Sequence, residues 1–385
     1  MKSSGFCACV VGMIAMLVFG ELVLSQEPPT ITISKGDRIN LSVSPLGGGE
    51  GGTATKVLQN DLTLSGYFIL SGNASYTARG SAGAGRLQGE VVDHSGGTVL
   101  SKSYSGGPRE NAHQFANDIV ETLTGNKGVA GSKIAFIGTR SGKKEVYVAD
   151  YDGGNVRQLT HDRVISVHPS VSPDGRRIAY TGYQSGYPDV YLIDLTSGAR
   201  NRIVSFPGTN SGATFSPDGS RIALTVSKDG NPELYTVNAG GGGARRLTHT
   251  RTVESGPTWS PGGDEIIYSS DEGGSPQLYR IGASGGRGQH ISSGYSYCTE
   301  PNWSPDGKKV AFNIRSGGGF QIAVLDLNGG GTKIVSSGEN PAWGADSRHI
   351  IFAQDGALYL LDTVTSRKNK ILDGIGKITE PSWSR

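Results

Sequence analysis

Cysteine is nearly absent, three residues in 385, and two of them, Cys7 and Cys9, fall within the first ten positions. Cys298 stands alone beyond them, so no disulfide can staple the body of the chain, and a half-buried structural thiol is expected there. Histidine is sparse at seven residues, with no His-x-x-x-His spacing and no Cys-x-x-Cys. A metal-dependent polysaccharide lyase therefore survives only as the enzymatic alternative. No Gly-x-Ser-x-Gly elbow exists, since Gly294-Tyr295-Ser296-Tyr297 runs into Cys298. Charge of either sign is in no excess: 36 Lys and Arg face 34 Asp and Glu, a net of +2. That excludes a nucleic-acid binder that works by neutralising phosphates. Long apolar runs are missing except at 5–20, after Met1 and Lys2 and before Glu21. With Val23-Leu24-Ser25 following, residues 1–25 read as a signal peptide cleaved near Ser25 and Gln26, which implies a secreted, periplasmic chain. Neither early cysteine sits in a lipid-attachment motif.

Glycine, by contrast, is abundant at 60 residues, and much of it lies in a repeat. Pro301-Asn302-Trp303-Ser304-Pro305-Asp306-Gly307 is one copy; others centre on Ser172, Ser216, Ser260, Gly344 and Ser384, and the spacings are 44, 44, 44, 40 and 40 residues. In Ser-Pro-Asp-Gly, proline presets φ at the second turn position and glycine tolerates the exit. An apolar strand follows each turn (177–180, 221–224, 265–268, 309–312, 349–352), preceded by an equivalent at 133–136. Two further strands complete each unit, the first closing on Asp or Asn at most copies, which can bond the next turn. A period of about 40–45 residues made of strands predicts propeller blades. All four tryptophans, Trp259, Trp303, Trp343 and Trp383, occupy one repeat position, where packing between blades is the expected role.

The segment 133–160 has three strands of a blade but no turn-preceding strand. The strand at 380–385 has no blade after it. Pairing the two closes a ring of six blades over 133–385 and hides both free edges.

Residues 26–126 lack the blade pattern and predict a small α+β domain, joined by a linker at 127–132. Strands are expected at 31–33, 39–43 and 67–70, and a hairpin at 86–104. Helices are expected at 53–64 and from Pro108, the second with a stripe of Ala112, Phe115, Ile119 and Leu123 and a Gly125 cap. Residues 45–53 and 71–85 are Gly- and Ser-rich and read as loops.

Together, the leader, the α+β domain ending in Leu123-Thr124-Gly125, the Asp61-Leu62-x-x-Ser65-Gly66-x-Phe68 stretch and the six blades resemble the TolB family of the Tol–Pal system. The resemblance covers nearly the whole chain after the leader. It departs at 71–85, too short and glycine-rich for the helix the family carries there. It implies a periplasmic, monomeric, non-enzymatic protein. The implied partners are the peptidoglycan-associated lipoprotein Pal at the outer membrane and TolA at the inner membrane. The implied roles are outer-membrane constriction at division, envelope integrity and, in some organisms, colicin reception; beside the lyase, the other alternative is a periplasmic propeller scaffold with another partner.

In a propeller, inter-blade loops share a face with the loops between second and third strands. Those inter-blade loops carry His161, Arg163 and His168, then His249, Arg251 and Glu254, then Tyr295, Tyr297 and Glu300, and finally Glu339 and Glu380. Tyrosine and arginine anchor protein interfaces, and by the resemblance this face docks Pal. Glu300 and Glu380 share a repeat position with His168, Gly212, Gly256 and Asn340, a ring at one channel mouth. Two carboxylates at a narrow opening focus a negative potential, suited to a partner Lys or Arg or to a weakly held calcium ion. A dedicated metal site is not expected, because calcium seeks about 6–8 oxygens. No other cofactor and no catalytic residue are expected. Gln26, Glu27, Thr30, Ile31, Thr32 and Ile33 match the family's TolA-contacting tail, β-prone after a proline pair and suited to joining a partner's sheet edge. An ordinary first strand is the other reading.

Overall fold

A computed structural model of the protein describes residues 38–384. Six four-stranded antiparallel sheets form the predicted six-bladed propeller, preceded by a five-stranded sheet with two helices. Blade one takes its inner strand from the far end of the chain: Thr379–Trp383 pairs with Lys133–Gly138, followed by Glu145–Asp150 and Arg157–Gln158. Blades two to six run in sequence order, from Ser166–Val171 at the start of blade two to Lys368–Leu372 at the end of blade six. Second strands such as Lys133–Gly138 and Arg221–Val226 are buried on both faces after their first residue. That burial explains why they read as continuous apolar runs, because neighbouring blades cover both sides.

The closing strand is bonded at several points. Trp383 pairs with Ile134 and Ser382 with Ala135. Ser384 donates its amide to the Lys133 carbonyl at 2.9 Å, and the Lys133 amide returns to Ser384 Oγ at 2.9 Å. The Trp383 indole donates to Ser132 Oγ at 2.7 Å and its ring stacks on Tyr151 at 6.4 Å. Gly344, where other copies have serine, is small for a reason: a Cβ there would meet the Trp383 ring at 2.7 Å.

Each turn is held by its own side chains. Ser172 donates to Asp174 at 2.5 Å and accepts the Arg177 amide at 2.9 Å; Ser216 and Ser304 repeat both bonds. In blades two and three the residue after the turn clamps the next blade. Arg177 reaches the Gly219 carbonyl and lies 5.4 Å from the Phe215 ring, and Arg221 reaches the Gly263 carbonyl and lies 4.7 Å from the Trp259 ring. The tryptophans are buried between blades as expected, Trp259 and Trp343 at 1% exposure.

The α+β layer comprises β1 (Ile39–Val43), α1 (Gly51–Leu64), β2 (Phe68–Leu70), β3 (Tyr76–Gly83), β4 (Arg86–Asp93), β5 (Thr98–Ser105) and α2 (Pro108–Thr124). The sheet order is β2-β1-β3-β4-β5. Pro108 opens α2, and Gly125 ends it in the left-handed conformation at φ 69°. The expected loop at 71–85 is corrected: β3 lies inside it. Its inward positions are Ala78 and Ala82, fully buried yet too small to show as a strand pattern. Small residues are needed because the layers approach closely; a Cβ on Gly89 in β4 would strike the Phe115 ring at 2.8 Å. The expected loop at 45–53 likewise yields its last residues to α1, which begins at Gly51.

Both parts belong to one compact unit. The expected linker is tied down: Asn117 exchanges two hydrogen bonds with the Ala130 backbone, at 2.8 and 2.9 Å. A buried ionic cluster joins α1 and α2 to blade one. Asp61 accepts from His113 Nδ1 at 2.7 Å and from the Tyr151 hydroxyl at 2.9 Å. Arg109 bonds Asp152 at 2.8 Å and Asp150 at 3.3 Å, and Lys133 bonds Asp150 at 2.5 Å. Burial alone would lower His113, but the Asp150 and Asp61 carboxylates prevail and raise it to about 9. On the other side, Arg348 lies 3.9 Å from the Tyr67 ring, bonds the Gly66 carbonyl at 3.2 Å and pairs with Asp362 at 2.6 Å.

Truncating the closing tryptophan by Trp383→Ala should cost about 3–5 kcal/mol of stability in urea unfolding; a loss near zero would show that the strand does not hold the ring. A raised His113 gives stability that is full below its ordinary value of 6.5 and fades as pH climbs through about 9. Melting temperature should therefore drop across that window in the wild type and stay flatter in His113→Gln. Parallel curves would contradict a charged His113 at the junction.

Candidate functional site: the channel mouth and its rim

Every inner strand slips register against its neighbour at the same place. The slipping residues are His168, Gly212, Gly256, Glu300, Asn340 and Glu380, with φ between 50° and 66°, all left-handed. Each is a bulge residue that directs its polar groups at the channel. Four of the six are not glycine, so the ring stores backbone strain, about 1–3 kcal/mol for each such residue. Together they line a cavity of about 320 Å³ on the propeller axis.

The predicted ring is thus brought together, and its members differ. Glu380 accepts the His168 backbone amide at 2.6 Å and the Lys144 ammonium at 3.2 Å, so both its oxygens have partners. The His168 imidazole meets Ser211 Oγ at 3.1 Å. Burial raises the Glu300 carboxyl; His168 pulls it down and Glu380 pushes it further up. The two carboxylates do not act as equals: one is neutralised by a lysine and the other is desolvated.

The rim residues separate into three groups. His161, Arg163, His249, Arg251 and Glu339 are exposed. Tyr295 and Tyr297 are half-buried; the Arg315 guanidinium lies 5.0 Å from the Tyr297 ring, and Phe320 packs beside it. Glu254 must be withdrawn from the docking face. It is fully buried, bonded by Thr250 and Thr252 at 2.8 Å and Ser270 at 3.0 Å, with burial raising its carboxyl. Its repeat position, two before the bulge, is buried elsewhere too, as Ser166, Asn210, Cys298 and Ile378. Cys298 is accordingly fully buried beside Ser293 Oγ at 3.0 Å, and burial pushes its thiol up. The rim's apolar members went unread in the sequence: Ile165 is 48% exposed, Val253 45% and Tyr187 70%. Ile165 and Val253 hold one repeat position, immediately before the buried one, which is the signal that could have found them. Gln26, Glu27, Thr30, Ile31, Thr32 and Ile33, and the leader, lie outside the described residues.

As a calcium site the mouth is a poor fit, since Glu380 is already bonded and Glu300 is left as the single available carboxylate. Among the described residues, one group of three metal-capable side chains lies close together: His113, Asp150 and Asp152. Its carboxylates are already met by Arg109 and Lys133, so it is an ion-pair cluster.

Strand-closed ring, bulged channel mouth and α+β layer define a six-bladed propeller preceded by a small α+β domain. The family described as the TolB beta propeller domain matches residues 120–385, and the chain belongs to that family. Among curated relatives, a "Protein TolB homolog" of Chlorobium chlorochromatii is 42% identical over 114 residues, 29% of this chain and 25% of that protein. A "Tol-Pal system protein TolB" of Geobacter metallireducens is 46% identical over 80 residues, 20% of this chain and 19% of that protein. The match thus spans about a quarter or less of the length of these relatives. The crystal structure of TolB from Acinetobacter baumannii superimposes with a TM-score of 0.80 at 24% identity, covering 90% of this chain and 97% of that one. At that identity the likeness speaks for the fold.

Glycine already serves at two ring positions, so Glu300→Gly should relieve both strain and a desolvated carboxylate. We expect a gain of about 1 kcal/mol by urea unfolding at neutral pH, net of glycine's entropy cost. The gain should shrink in acid, because a raised carboxyl costs least once protonated. A loss of stability would place Glu300 in an interaction that this geometry lacks.

Proposed function

We propose that this protein is a periplasmic interaction component of a Tol–Pal system. It bridges a Pal-like lipoprotein of the outer membrane and a TolA-like protein of the inner membrane, serving envelope constriction at division and envelope integrity. The reading is non-enzymatic. Family membership supports the system, and one structural observation carries the docking face: Val253 lines the channel mouth, and it, Ile165 and Tyr187 are exposed in loops of that face. Large apolar side chains in a polar setting, flanked by Arg163 and Arg251, are the composition of a protein interface centre. The strained ring and the filled inter-blade seams make that face stiff, so little ordering entropy is lost on docking. No helix among the described residues is long and apolar enough to cross a membrane. The segment 26–33 is assigned to the TolA-like partner on the resemblance alone.

Calorimetry against the soluble domain of the Pal-like protein tests the face. Replacing Tyr187 by Ala and Val253 by Asp together should weaken binding by at least about 2 kcal/mol, while deletion of 26–33 leaves it unchanged and abolishes capture of the TolA-like protein. Full affinity in the double variant would move the docking face elsewhere.

A further inference from the structure

The repeat supplies its own control for a cleft on blade four. In blade two, Tyr180 and Tyr191 stack at 5.6 Å, and the Tyr180 hydroxyl accepts from Gln184 at 2.8 Å and from the Arg200 guanidinium at 3.4 Å. Arg200 forks onto Asp162 at 2.5 and 3.0 Å. Two 44-residue repeats further on, the same positions hold Tyr268, Tyr279, Glu272, Gly288 and Thr250. The strand register agrees: Tyr191 pairs with Arg202 and Tyr279 with His290, the matching position. The tyrosine pair is kept, at 5.9 Å, but the cation that filled the sister blade is gone. At Gly288 a Cβ would lie 2.3 Å from the Tyr268 hydroxyl, which now occupies that space. What remains is a cleft of about 710 Å³.

Other blades supply a cation at this place from within. Lys228 stands 5.3 Å from the Tyr235 ring in blade three. In blade six Lys368, at the repeat position of Arg200, stands 5.1 Å from Tyr359. Among the described residues no Lys or Arg stands over Tyr268 or Tyr279 at such a distance; the His290 imidazole meets the Tyr279 ring edge-on at 5.3 Å. Arg287 lines the cleft with its side chain solvent-exposed. The local field is negative as well. Burial raises Tyr268, and Glu254 and Glu272 add to it, whereas for Tyr180 the Arg200 charge opposes burial. Glu272 replaces the neutral Gln184 while Thr250 replaces Asp162, so the cleft keeps one carboxylate, now exposed, and has lost the internal guanidinium that paired it.

We infer that the blade-four cleft receives the guanidinium of an arginine side chain from a protein partner. The group is held by the Glu272 carboxylate, the Tyr268 hydroxyl and the face of Tyr279. A guanidinium satisfies the carboxylate and hydroxyl as Arg200 satisfies Asp162 and Tyr180 in blade two, by charge-assisted hydrogen bonds, and the Tyr279 face offers the ring contact that Lys228 makes with Tyr235. The inference does not depend on which envelope protein docks.

The test is titration of the full chain, labelled in its tyrosine rings, with N-acetyl-arginine methylamide, followed by NMR. Saturable shifts of Tyr268 and Tyr279 are expected, and the neutral isostere N-acetyl-citrulline methylamide should bind at least roughly tenfold more weakly. Glu272→Gln, on an exposed loop where the fold tolerates it, should produce the same loss. Equal binding of citrulline, stronger binding of N-acetyl-aspartate methylamide, no saturable shift, or an undiminished response in Glu272→Gln would each overturn the assignment.

Discussion

The pairing of Thr379–Trp383 with Lys133–Gly138 is the constraint on which the rest depends. Without it blade one lacks its inner strand, the sixth seam has no second wall, and the channel becomes an open groove. The closure repeats the serine exchange of the other blades, as between Ser172 and Arg177, and adds the contacts of Trp383. Backbone pairing is joined by the Ser384–Lys133 exchange, by the indole of Trp383 on Ser132 and by the Trp383–Tyr151 stack. Tyr151 in turn donates to Asp61, so the residue that steadies the seam also reaches the α+β layer. Ring closure and domain docking therefore meet in one side chain.

Around the ring, cohesion is mostly local and repeated. A serine and an aspartate shape the turns at Ser172, Ser216, Ser260 and Ser304, and Arg177 and Arg221 after their turns reach the next blade's aromatic ring and turn carbonyl. These contacts are individually modest, and apolar burial between blades carries most of the energy. Their regularity has a functional effect: it holds the left-handed bulges in register, so the polar groups of His168, Glu300, Asn340 and Glu380 converge at one opening.

The propeller was legible because its signals repeat: the Ser-Pro-Asp-Gly turns and the orphan strand at the end told blade number and closure alike. The hairpin and the proline-opened, glycine-ended helix were equally plain. Strand β3 was not, because its buried positions are Ala78 and Ala82, chosen by close helix–sheet approach and not by hydrophobicity. The ring at the channel mouth followed from alignment of the repeats. The status of Glu254 did not, since a buried carboxylate satisfied by three hydroxyls looks in sequence like any exposed one. The junction cluster also escaped notice, although Asp61, Ser65 and Gly66 belong to the stretch that carried the family resemblance. Gly66 is required there: a Cβ would meet the Asp362 carboxylate at 2.3 Å.

Closure brings together residues 251 positions apart, as Lys133 and Ser384 show. Contacts this remote in sequence form late, since a large loop must be organised before they are gained. Until then the strand beginning at Lys133 shows an unpaired inner edge to its surroundings, a template for wrong partners. A lesion in the final few residues would therefore register first as lost yield during biogenesis, and the molecules that do mature would reopen more readily.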